Sequence, residues 1–275
     1  MNIKYFFSTL FQALFGKKYR KHPDSAVMDK AEQRAIHAGL INSEQIMAYC
    51  DSYTTGLTDV RLVEGLGSYW DICSPEQAHE RLAWLSQDGH RFLYDIIFRV
   101  YSEGALENSG QRVLSALIDS GRYGSPKFVL EQFSAEASSE VKHKVYSAFE
   151  SAMSLLENFK SVFRTLQDKV NGQYLLKDYE AGILAWDLGR LVTVARMSFD
   201  RGYIAKLELC RILVRVDSEM QENFSSWSQF AKSYIIGRAS WSGQNNTLDV
   251  IISIAEDLMT DEDSPWVLSS QLSIH

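Results

Sequence analysis

The sequence predicts an all-α protein, a compact multi-helix domain built around one central hydrophobic helix. Three observations carry that prediction. Only four prolines occur in 275 residues, and strict alternation of β-branched residues is scarce, which disfavours sandwiches and barrels. Helix-start signals recur along the chain, each followed by apolar residues at three- and four-residue spacing. One segment is apolar almost all round, as a helix buried at the centre must be. A hydrophobic share of 45% and a charged share of 23% suit a globular chain with ample core. The expected organisation is a basic amphipathic helix over residues 1–22 and a helical domain over 23–275, with a sub-division allowed near residue 135.

The first element is "MNIKYFFSTLFQALFGKKYRK". Its apolar run, Ile3 to Phe15, is broken by Ser8, Thr9 and Gln12 and is too short to span a bilayer. Basic residues follow where a cleavage site would need small ones, so a signal peptide is disfavoured. Two readings remain: a helix docked on the rest of the protein, or an interfacial helix touching a membrane through Lys4, Phe6, Phe7, Phe11, Phe15, Lys17 and Lys18. Further on, "SPEQAHERLAWLSQDGH" has Ser74 as N-cap, Pro75 at the first helical position and Gln77 closing a capping box, with Gly89 as the stop. A helix follows from His90, and shorter ones are expected at 110–120 and 126–134.

The clearest periodicity lies at about 138–170. Val145, Phe149, Ala152, Leu156, Phe159, Phe163, Leu166 and Val170 step by fours and threes, the spacing of a long helix lying along another. The central helix is placed at about 179–201, opening at Asp178 as N-cap and closing at Gly202. Another helix spans about 205–223. Ser226 and Gln229 make a second capping box for the helix that starts at Trp227, and a last helix runs over about 247–259.

Two of these helices place charge among apolar residues. On the central helix the stripe Ile183, Trp186, Asp187, Arg190, Leu191, Val194 turns an acid and a base to the core. On the helix from Trp227 the stripe Trp227, Phe230, Ala231, Tyr234, Arg238, Trp241 puts Arg238 in one layer with two tryptophans. An unpaired buried charge costs several kcal/mol, so Asp187 is expected to pair with Arg190 or Arg238. Such arginines more often lock helices together than bind ligands, but a surplus guanidinium beside aromatic rings is also a way to hold a carboxylate or phosphate.

Other chemistry is not signalled. The six histidines show no HExxH or paired-ligand spacing, so no metal site is expected. Gly65-Leu66-Gly67 lacks a third glycine and a preceding strand, and reads as a turn. No Walker motif or GxSxG elbow occurs, and no cofactor is called for. His90 with Asp187 is an acid–base pair only if the fold brings them together. The net charge of −7 argues against nucleic acid as a partner, and the charge is uneven. Residues 1–21 hold five basic residues and no acid, which leaves −12 for the remainder. Cys50, Cys73 and Cys210 are odd in number and lack redox spacing, which suits a reducing cytoplasm, the inner-membrane surface included.

"AWDLGRLVTVARMSFDRGYI", "SSWSQFAKSYIIGRASW", the closing "DSPW" and the upstream "YWDICSPEQAHERLAWLSQDGHR" together resemble the enterobacterial YbeU/YbeR-type proteins, a bacterial domain family of unknown function, over about residues 60–270. The resemblance singles out Trp186, Asp187, Arg190, Arg196, Trp227, Tyr234, Gly237, Arg238 and Trp241, with Gly89, His90 and Arg91 upstream. Ala205 departs from the pattern where a capping Ser or Thr is usual, and Ser240 where an aromatic is usual. The resemblance implies a helical fold and a bacterial source, and supplies no activity.

The site residues to follow are therefore Asp187, Arg190, Arg196, Trp227, Tyr234, Arg238 and Trp241 as a buried polar cluster or anion site, with His90 and Arg91 secondary. The favoured function is a cytoplasmic module that binds another protein, a basic one by charge. Analogy within the resemblance sharpens this to toxin neutralisation (immunity-like) or service as a secretion-system adaptor. The rivals are an enzyme or toxin domain with an anion pocket around Asp187, Arg190 and Arg238, and a peripheral membrane protein anchored by residues 1–21.

Overall fold

A computed structural model of the protein describes residues 18–24, 27–103, 109–120, 140–169, 176–243 and 245–269. The described residues form helices and no strand: α1 (Lys30–Ala38), α2 (Leu40–Ile46), α3 (Asp59–Trp70), α4 (Pro75–Gln87), α5 (Arg91–Ser102), α6 (Ser109–Asp119), α7 (Glu140–Lys169), α8 (Leu176–Glu180), α9 (Leu184–Asp200), α10 (Lys206–Asn223), α11 (Trp227–Ser242), α12 (Asn246–Thr260) and α13 (Pro265–Leu268). The all-α prediction is met. Lys4, Phe6, Phe7, Phe11, Phe15 and Lys17 lie outside the described residues, as do the helix expected at 126–134 and the sub-division near 135.

Two compact units divide the chain. The first comprises residues 1–89, 184–235 and 246–275; the second comprises 90–183 and 236–245. Each draws on distant stretches of sequence, and α11 contributes to both.

In the first unit α9 is the hub. Every residue from Ala185 to Ser198 is buried, and α1, α2, α3, α4 and α10 all pack on it. The expected N-cap at Asp178 is corrected: Asp178 sits inside α8, and the chain breaks before α9 at Gly182, whose φ of +77° takes the backbone out of the helical region. α4 begins as its sequence dictates, with Pro75 in the first turn and the Gln77 amide donating to Ser74 Oγ at 3.3 Å. Gln77 Oε1 reaches one residue further back than a capping box requires and accepts from the Cys73 amide at 2.7 Å. α11 repeats this arrangement, with Gln229 bonded to Ser226 Oγ at 3.2 Å and to the Ser225 amide at 2.8 Å. α10 starts at Ala205 without a side-chain cap. The closing "DSPW" folds into α13, which buries Trp266 against Trp227 with stacked rings 4.7 Å apart.

In the second unit α5, α6 and α7 pack on one another. Of the heptad positions in α7, Ala152, Leu156, Phe159 and Leu166 are buried, and Leu155 and Val162 join them. That wider stripe fits a helix covered by two neighbours rather than one. Phe159 is the centre of an aromatic cluster, edge-on to Tyr94, Phe98, Tyr101 and Tyr179 at 4.8–6.2 Å.

Candidate functional site

The charged residues of α9 are buried as a set. Asp187 has no exposed surface, Arg190 is 5% exposed and Arg196 1%. Asp187 and Arg190, one turn apart, form a buried ion pair. Arg190 Nε also donates to the Trp186 carbonyl at 2.9 Å, and its guanidinium lies 4.2 Å from the Trp186 ring and 5.7 Å from that of Trp70. Gly89 presses on the same carboxylate. A Cβ built there would meet Asp187 Oδ2 at 2.1 Å, and its φ of +55° is itself a glycine conformation.

Arg196 is held differently. It donates to Ser43 Oγ at 3.2 Å and to the carbonyls of Tyr49 and Thr54 at 2.7 and 2.8 Å. Burial pulls its pKa down to about 10. Asp200, one turn along, accepts from the amide and hydroxyl of Thr55, so α9 grips the loop 47–57 with both charges. Arg20 grips the same loop from the other side through the carbonyls of Met47 and Gly56 and the Tyr49 hydroxyl. These donors act on the protein's own backbone.

Tyr234 is fully buried, edge-on to Trp186 at 5.0 Å, and donates to Asn42 at 2.9 Å. Gly189 permits this closeness, since a Cβ there would lie 2.9 Å from the Tyr234 ring and 3.0 Å from the Ala38 carbonyl. Trp227 is buried in the cluster with Phe230 and Trp266. The remaining residues of the α11 stripe differ from expectation. Arg238 is half-buried and Trp241 is 46% exposed. Both stay within the arc bounded by buried Phe230 and Ala231 at about 100° per residue, so the difference lies in what covers the end of α11, which belongs to the second unit from Ile236 on. Trp241 belongs to the second unit, where His90 lies edge-on to it at 4.0 Å and Asn158 donates to its carbonyl at 2.9 Å. His90 makes no side-chain capping bond at the start of α5, and Arg91 is half-buried. Ser240 is buried and returns its hydroxyl to the Ile236 carbonyl.

A cleft of about 780 Å³ opens elsewhere in the first unit. One wall is a face of α1, where Lys30, Gln33, Arg34 and His37 recur at i, i+3, i+4 and i+7. The others carry Lys21, Cys50 and Asp51, and Asp263, Leu268 and Ser269. Burial pushes the Cys50 thiol up to about 11 and pulls His37 down to about 4, so neither carries charge near neutral pH. The polar stripe of α1 is a signal that periodicity could find, but its side chains become a wall only when distant segments face them.

No helix among the described residues is long and apolar enough to cross a membrane, and none of their His, Cys, Asp and Glu side chains form a metal-binding group. Residues 65–270 match a family described as "Protein of unknown function (DUF1266)". The chain belongs to that family. The DUF1266 match takes in α4 to α13, and so α9 with its buried charges, while α1 precedes it. No curated protein and no solved structure matches the chain.

Proposed function

We propose that this DUF1266 protein works by binding another protein, a basic one, through the outward face of α3. The observation that carries this reading is the apolar character of that face. Leu62 and Leu66 are the buried residues of α3, with Gly65 against Met197 and Trp70 beside Arg190. Val60 and Val63 are 74% and 53% exposed, and Gly67 continues their line at helical spacing. Asp59 and Asp71, ion-paired to Arg201 and Arg81, flank it with Arg61 and Glu64. A small residue in an apolar stripe lets a partner helix approach closely, and a net charge of −7 would steer a basic partner. The likeness to YbeU/YbeR-type proteins supports a bacterial setting and the three unpatterned cysteines a reducing, cytoplasmic one, and toxin neutralisation or a secretion-system adaptor role is the sharpest form of the reading.

The test is purification of the tagged full-length protein from its own host at low and moderate salt, beside the Val60→Asp/Val63→Asp variant. A stoichiometric basic protein that accompanies the wild type, weakens with salt and is lost from the variant supports the reading. A wild type that elutes alone, or the same companions on both proteins, refutes it.

A further inference from the structure

The α1 cleft has the make-up of a small-molecule site. Its volume of about 780 Å³ lies within the usual range for ligand pockets, roughly 300–1,000 Å³. Arg34, His37 and Asp51 are held in place by the fold. Asp217 holds Arg34 through Nε and Nη2 at 2.8 and 2.7 Å, which orients the guanidinium and leaves Nη1 without a hydrogen-bond partner among the described residues. Lys21 and Lys30 are exposed at the cleft and form no ion pair among those residues. His37 supplies the opposite character. The Ser269 hydroxyl bonds the Pro265 carbonyl and lies 3.3 Å from His37 Nδ1. That arrangement suits a neutral ring with its proton on Nδ1, which leaves Nε2 as the acceptor nitrogen. Asp51 and Asp263 add further acceptors.

We propose that this cleft binds a small hydroxylated anion. Its phosphate or carboxylate group meets Lys21, Lys30 and Arg34 Nη1, and its hydroxyls donate to His37 Nε2 and the aspartates. Inorganic phosphate alone would satisfy only the cationic half, and the two aspartates disfavour a ligand that is anionic throughout.

The experiment is calorimetric titration of the full chain near pH 7.5 with glycerol 3-phosphate, glycerate, inorganic phosphate and glycerol, repeated on Lys21→Gln/Lys30→Gln and on Leu268→Trp. Leu268 is exposed at the cleft, so the indole obstructs the cleft without disturbing the core. Saturable binding of glycerol 3-phosphate or glycerate is expected, roughly tenfold tighter than inorganic phosphate. Which of the two binds better tells phosphate from carboxylate. Both variants should lose at least tenfold in affinity with an unchanged melting temperature. Absence of saturable binding by both hydroxylated anions overturns the proposal. So does binding no tighter than that of inorganic phosphate, or binding that survives in the variants. None of these outcomes depends on α3, so the protein-binding reading stands or falls separately.

Discussion

Substituting Gly89 by alanine tests whether the buried Asp187–Arg190 pair is held under tight steric control. Two costs arise. The first is conformational: Gly89 has φ of +55°, and a left-handed residue with a Cβ costs about 1–2 kcal/mol. The second is contact. The added carbon would sit 2.1 Å from Asp187 Oδ2 and 2.3 Å from its Cγ, about 1 Å inside the closest approach that real side chains show. Asp187 is fully buried, so its carboxylate can give way only by leaving Arg190. Disrupting a buried pair costs about 3–5 kcal/mol, so the sum is about 4–7 kcal/mol. Urea denaturation followed by circular dichroism and tryptophan fluorescence measures it. The double-mutant comparison separates the two costs: in an Asp187→Ala background Gly89→Ala should cost only about 1–2 kcal/mol. Equal losses in both backgrounds would refute the steric account.

Two further predictions concern the first unit. Burial pushes the Glu44 carboxyl up to about 7. The folded chain therefore keeps a proton that the unfolded chain releases from about pH 4.5, and stability falls as pH rises from 4.5 to 7, by on the order of 2–3 kcal/mol. His37 works oppositely, because its lowered pKa of about 4 means that stability is lost as pH falls from 6.5 to 4. Urea midpoints across pH 4.5–8 should thus show Glu44→Gln gaining stability relative to wild type as pH rises; a constant difference between the two proteins would count against the assignment. Arg196→Lys keeps the charge but gathers its donors on one nitrogen, where the guanidinium spreads them over two that reach Ser43 and the two carbonyls separately. It should cost about 2–4 kcal/mol, and a melting temperature within a degree of wild type would show that the loop 47–57 needs no such clamp.

Much of the fold was legible because its signals are local. The Ser74 and Ser226 caps need only residues three or four positions away, and the heptads of α7 need only one another. The same locality explains the error at Asp178: its side chain makes a good cap, but Gly182 four residues later breaks the backbone, and the new helix starts beyond it. Of the candidate site, Arg196 came only from the family resemblance, while Asp187, Arg190, Trp227 and Tyr234 could be assigned to the core from periodicity. The exposure of Arg238 and Trp241 could not be read there, because what covers the end of α11 is set by neighbouring elements.

The class of fold, most helix starts and most hydrophobic faces were local properties of the chain, since these follow from backbone hydrogen bonding and the 3.6-residue repeat. Tertiary structure alone decided which partner each buried charge takes. Arg196 meets carbonyls about 145 positions away, and the α1 cleft joins residues 21, 37 and 269. A guanidinium is satisfied by any acceptor the packing brings near it, and packing is settled by the summed burial of all the helices rather than by any local pattern.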